Sequence, residues 1–165
     1  MKNTIITWIL TALSTTAFAQ GDQKMAEDLF KQLEQKAFFS APQNLYVGGP
    51  PHGPVRAVVE GQIGQKHTIV KFNYGGKNIT PTQVKQDPGK WLKAITVMHR
   101  VPGYDGAHND WFWAKYEPSG EIFIENGQIR MGKDKGCIAC HQSASGNDFT
   151  FQHNKIVNAD TTVVN

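Results

Sequence analysis

Cysteine is almost missing from this chain: its 165 residues hold two, Cys137 and Cys140. That scarcity excludes a disulfide framework, which needs several pairs. No second cluster of Cys or paired His stands at zinc-ligand spacing, so a structural zinc site is excluded as well. No methionine follows His141. No apolar run is long enough to cross a bilayer, the best being Ile5 to Leu13. Neither sign of charge dominates, since the full chain carries a formal +3. Its basic residues do not cluster as they do in a nucleic-acid binder. Internal repeats and low-complexity segments are absent too.

What is present gains weight from that background. Both cysteines are spent in Cys137-Ile138-Ala139-Cys140-His141. Two thiols separated by two residues and followed at once by His form the attachment signature of a c-type haem. Each thiol adds across one vinyl group, and a short helical turn presents both sulfurs to one ring edge. The next residue then lies beneath the iron, where a neutral imidazole is the proximal ligand. A thioredoxin-like redox pair shares the cysteine spacing but opens a helix after a strand in a βαβ unit. The flanks Gly132-Lys133-Asp134-Lys135-Gly136 and Gln142-Ser143-Ala144 read as no such strand. A plain disulfide leaves His141 unexplained. The motif therefore predicts one covalent haem c per chain, bound through Cys137 and Cys140, with His141 as the metal ligand.

The N-terminus agrees with export. Lys2, the apolar stretch from Ile5 to Leu13 and the small-x-small run Ala17-Phe18-Ala19 read as a secretory signal peptide over residues 1–19. Residues 20–165 then form a single domain, and the location is periplasmic, because bacteria attach c-type haem outside the cytoplasm. A leader carrying only Lys2 leaves a formal +2, which two haem propionates bring close to zero.

Along the remaining chain, Asp22 is placed to cap a helix from about Gln23 to Lys36. Ala26, Leu29, Phe30, Leu33 and Ala37 make its apolar stripe, and Pro42 marks its end. The loop Gly48-Gly49-Pro50-Pro51-His52-Gly53-Pro54 reads as a rigid connection that holds His52 in place. Val55 to Glu60 and His67 to Tyr74 alternate as strands. A polar turn region, Gly75 to Lys90, precedes strands at Trp91 to Val101 and Trp111 to Tyr116. A final hairpin is predicted from Glu121–Glu125 and Gln128–Met131 around Asn126-Gly127. The fold class is α+β and β-rich: an antiparallel sheet with an N-terminal amphipathic helix and a C-terminal haem-attachment turn. Small electron-transfer cytochromes place the motif early and supply an axial Met downstream, and four-helix cytochromes c′ lack strands. A late motif on a β-rich body, without that Met, predicts an iron with an open distal position.

These residues resemble the cytochrome P-460 family, which includes cytochrome c′-beta. The resemblance rests on Pro51-His52-Gly53-Pro54-Val55-Arg56, Thr68-Ile69-Val70-Lys71, Gly103-Tyr104-Asp105, Asp110-Trp111-Phe112-Trp113, Cys137–His141 and Asp148-Phe149-Thr150-Phe151. It implies a pentacoordinate haem c in a small β-rich domain, often a homodimer. It also implies a small nitrogen compound as ligand or substrate, hydroxylamine or nitric oxide, and an external electron acceptor or donor protein. Lys71 stands where family members bond a strand lysine to the porphyrin; read alone, it is equally an edge-strand gatekeeper whose ammonium stays wet. Arg56 matches a distal arginine and reads otherwise as a surface residue. His52 reads as a distal proton shuttle or a plain loop histidine. His67, His99, His108 and His153 read as surface or structural, and Trp111, Trp113, Phe149 and Phe151 as core or haem-packing residues. One departure stands out. Hydroxylamine-oxidising members use a distal carboxylate, whereas the strand segment Ile95-Thr96-Val97-Met98 has none. That shifts the expectation towards nitric oxide binding, with a non-enzymatic gas-binding or electron-transfer cytochrome as the alternative.

Overall fold

The computed structural model describes residues 10–41, 43–151 and 162–164, with backbone alone for 10–19, 162 and 163. Most of the predicted leader's side chains, Pro42 and His153 fall outside the described residues. The fold is α+β and β-rich. Helix α1 runs from Leu10 to Gln35. It passes straight through Asp22, so Asp22 is not a cap; its carboxylate instead accepts from the Tyr104 hydroxyl at 3.0 Å. Ala26, Leu29, Phe30 and Leu33 recur at three- and four-residue spacing and are all buried.

The end of α1 departs from the predicted stripe. Ala37 adopts a left-handed conformation, φ 61°, and the Phe38 N–H donates to the Leu33 carbonyl at 3.1 Å. Phe38 and Leu33 are both fully buried, the pattern of a Schellman-type stop. The chain reverses at Ala37, which points to solvent, and Phe38 fills the place expected for it.

The strands follow as β1 (Tyr46–Val47), β2 (Val55–Ile63), β3 (Lys66–Tyr74), β4 (Leu92–Arg100) and β5 (Trp111–Tyr116). Each is antiparallel to its neighbour. Between β3 and β4 the region read as polar turn holds two short helices, α2 (Pro81–Gln86) and α3 (Pro88–Trp91). Thr80 and Gln83 build a reciprocal capping box at α2. The last hairpin is smaller than predicted. Only β6 (Ile124–Glu125) and β7 (Gln128–Ile129) pair, apart from the main sheet. Asn126 and Gly127 between them both have positive φ, as a tight two-residue turn requires. Strand β8 (Met131–Gly132) returns to the main sheet beside β5. The flank before the motif thus begins on the last residue of β8, which is antiparallel and builds no βαβ unit. Helix α4 covers Lys135–His141, and β9 (Thr162–Val164) lies parallel to β2 along Val59–Gly61.

Both faces of this sheet are covered, and alternation along the strands sorts the residues between them. Val55, Ala57, Val59, Val70, Phe72, Ile95, Val97 and Phe112 face α1. Val58, Ile69, Met98, Trp111 and Trp113 face Ile138 of α4. Nineteen buried residues gather on the first face and seven on the second. Each large apolar side chain so buried contributes roughly 1.5–3 kcal/mol, so the α1 face supplies most of the cohesion. The second face bears the candidate site.

Candidate functional site

Helix α4 owes its place to Asp134. Its carboxylate accepts from the Cys137 N–H at 2.8 Å and pairs with Arg130 at 3.3 Å, which satisfies an end donor and fixes the first turn. Residues three and four apart on a helix share a face, so Cys137, Cys140 and His141 project to one side. All three line one cleft, with His52, Tyr74 and Thr96 among its other walls. The cleft encloses about 280 Å³, just under the roughly 300–1,000 Å³ of small-molecule and cofactor sites. Both cysteines are free thiols; Cys140 is exposed, and burial followed by the Asp134 charge pushes the Cys137 thiol up to about 12.

His141 is held in a defined tautomer. Its Nδ1 lies 2.7 Å from the Phe149 carbonyl oxygen. A carbonyl only accepts, so Nδ1 carries the proton and Nε2 keeps its lone pair. Burial lowers the pKa of this imidazole; the Phe149 bond opposes the shift and the Lys71 charge adds to it. Trp113, Phe151 and His52 surround the ring at centroid distances of 4.8, 5.2 and 6.2 Å.

The loop that bears Phe149 is itself pinned. Arg100 pairs with Asp148, its guanidinium 4.4 Å from the Trp111 ring centroid. The Trp111 indole N–H donates to the Asp148 carbonyl at 3.0 Å. Sequence reading gave Trp111 only a packing role; here it joins a latch that carries the acceptor for His141.

Lys71 occupies a central strand, not an edge. It lies opposite Val58 on β2 and Thr96 on β4 and is 6 % exposed, so the wet gatekeeper reading is wrong. Burial, then the Arg56 charge, lowers its pKa to about 8. Arg56 is half-buried: its Nε donates to the Gly53 carbonyl at 3.1 Å, and a Cβ at Gly48 would lie 2.3 Å from that nitrogen. Residues 48–54 thus close around Arg56 and set His52 in the cleft wall. Burial first, then the charges of Lys71, Arg56, His141 and Lys115, lowers the His52 pKa to about 3. His52 is therefore neutral at physiological pH. Lys71 and Arg56 stand on the same sheet face as the cleft but are not part of its lining.

Thr96 is the one member of the Ile95–Met98 segment that lines the cleft. It accepts from the Asn73 amide at 3.2 Å. Glu125 is the carboxylate among the lining residues, and it is tied to Lys115 at 3.2 Å and Arg130 at 3.5 Å. Sequence reading passed over Lys115, Glu125 and Arg130. Lys115 was discoverable, since it shares strand parity with Trp111 and Trp113.

The other described histidines are structural. His99 is buried and bonded to Thr68 at 2.8 Å, His67 pairs with Glu60, and His108 lies 2.8 Å from Asp105.

The chain matches no protein-family model, no curated protein and no solved structure. The chemistry of the site must speak for itself. Among the described residues no group of three or more His, Cys, Asp and Glu could hold a metal ion; the imidazole whose free nitrogen is fixed by hydrogen bonding is that of His141. Asn73 Oδ1 and the Trp113 indole N–H, both on this face, are buried without a partner. Such orphaned atoms call for a missing group or water. Two thiols, one imidazole with a free Nε2 and a largely apolar cleft fit a porphyrin bound through its edge and its metal. Among the described residues no helix is long and apolar enough to cross a membrane.

Proposed function

We propose that this chain is an exported monohaem c-type cytochrome of the P-460 and cytochrome c′-beta kind, which binds small nitrogen species. One observation carries the reading: Cys137, Cys140 and His141 share a face of α4 and open into one cleft, with His141 Nδ1 fixed on Phe149. Cys137 and Cys140 hold the group, each S–H adding across a vinyl. His141 offers Nε2 to the iron, and the Phe149 bond sets the orientation and basicity of that nitrogen. When bound, the group supplies an open coordination position and one-electron redox chemistry. His52, neutral at physiological pH, is a hydrogen-bonding wall. Lys71, whose pKa burial lowers, is the amine available for a bond to the porphyrin, as the resemblance implies. Electrons pass to or from an external protein.

The cleft favours nitric oxide binding over hydroxylamine oxidation. Thr96 stands where an acid would be sought, and the Glu125 carboxylate is engaged by two cations. The test is the spectrum and haem-peptide mass of the protein produced with periplasmic maturation. The expected result is a haem peptide containing residues 137–141, a five-coordinate iron that binds nitric oxide, and slow or no reduction of an artificial acceptor by hydroxylamine. A colourless protein, or resting iron with two strong-field protein ligands, overturns the reading. Rapid acceptor reduction returns the preference to the hydroxylamine enzyme.

A further inference from the structure

Three charged residues of the cleft lining meet a fourth, Asp134, that lies outside it. Lys115 comes from β5, Glu125 from the β6–β7 hairpin, Arg130 from the segment before β8, and Asp134 from the cap of α4. Glu125 reaches Lys115 with one oxygen at 3.2 Å and Arg130 Nε with the other at 3.5 Å. The second contact lies within ion-pair range but is no hydrogen bond: Arg130 Nε is buried and has no hydrogen-bond partner. The guanidinium's far end is engaged, with Nη1 3.3 Å from Asp134, and it lies so close to α4 that a Cβ on Gly136 would come within 2.8 Å of Nη2. Arg130 is therefore held in place with one donor edge unsatisfied beside the ammonium of Lys115.

We propose that Arg130 and Lys115 form a seat for a carboxylate of the cleft's ligand, and that Glu125 is its displaceable stand-in. A carboxylate arriving at the Nε edge completes the paired hydrogen bonds that a guanidinium is shaped to give. Of the two acids present, Asp134 cannot yield the site, because it is buried and caps Cys137. Glu125 can yield: its side chain is 46 % exposed and it rides a hairpin of two-residue strands outside the main sheet. The seat rests on the haem reading above, and its carboxylate is then a porphyrin propionate. It places that propionate on the side of the cleft lined by β5 and the hairpin.

The test uses the matured protein and follows its reduction potential against pH for the wild type, Arg130→Gln, Lys115→Gln and Glu125→Gln. Losing a neighbouring cation raises a carboxyl's pKa by about 1–3, so the carboxylate-linked step in the curve moves up by that amount in Arg130→Gln and by less in Lys115→Gln. Glu125→Gln removes the competitor and moves the step down. Glu125 is exposed, so its variant tests the seat even where Arg130→Gln fails to fold. Acetate added at constant ionic strength leaves the step in place if the carboxylate is tethered; a step that follows acetate marks a seat for free anions and overturns the propionate assignment. A coloured protein whose curve ignores the Arg130 and Glu125 substitutions overturns the seat alone. A protein that stays colourless overturns the haem reading and the seat with it.

Discussion

Lys71 is an ammonium buried in the middle of a sheet, and no carboxylate pairs with it among the described residues. Replacing it by Met keeps the straight chain and removes the charge. The pKa falls from 10.5 to about 8 on folding, and at about 1.4 kcal/mol per pH unit the fold bears a penalty of about 3 kcal/mol for carrying that charge. The sign follows from proton binding. Below pH 8 the amine is protonated in both states, and the penalty is complete. Between about pH 8 and 10.5 the unfolded chain holds a proton that the folded chain has released, so stability rises with pH. Above that range both forms are neutral, and nothing remains. In a Cys137→Ala, Cys140→Ala background, where Lys71 keeps its free amine, Lys71→Met is expected to be more stable by about 3 kcal/mol at pH 7, with most of the gap closed by pH 10. Urea titrations at the two pH values measure it. A variant no more stable than its parent at pH 7, or a gap that ignores pH, refutes the reasoning. If the haem reading holds, a bond from Lys71 to the porphyrin would abolish the pH-dependent part in the matured protein.

The remaining predictions concern geometry. Asp148→Ala breaks a half-exposed pair with Arg100 worth about 0–1 kcal/mol, so the melting temperature moves little. Amide hydrogen exchange in residues 142–151 is expected to speed up, because the loop that holds Phe149 against His141 has lost its latch. Ala37→Gly relieves a left-handed backbone and is expected to stabilise by about 0.5–1 kcal/mol in urea titration; a loss of stability contradicts the assigned helix stop. Gly61→Ala places a Cβ 2.4 Å from the Val164 carbonyl oxygen. It is expected to cost about 1–3 kcal/mol and to remove exchange protection from β9, and equal protection in both proteins refutes the close approach.

How much was legible in the sequence depended on the range of the interaction. Strands β2 to β5 follow from alternation because each buries a face, and Cys137–His141 is a local motif whose helix needs only its Asp134 cap. Lys71 was legible as an anomaly, yet its central position was not, since pairing with β2 and β4 is a property of the sheet. Asp22 shows the opposite failure. As a local capping signal it is sound, but the turn before it is already helical, Gly21 included. The capping box at Thr80 and Gln83 was present in the sequence and passed over because the surroundings are polar. The Arg100–Asp148 latch and the Glu125–Arg130–Asp134 chain join residues whose meeting depends on how loops fold back over β5, which no periodicity encodes.

A sheet with a cleft on one side and a packed helix on the other divides the labour of a strand residue by residue. On β3, Val70 and Phe72 face α1 while Ile69, Lys71 and Asn73 face the side that bears the cleft. Evolution can therefore retune ligand chemistry by editing every second letter of a strand while the intervening letters keep the scaffold standing. Comb-like variation of this kind, period two along β2 to β5, is the signature such a protein would leave among its descendants.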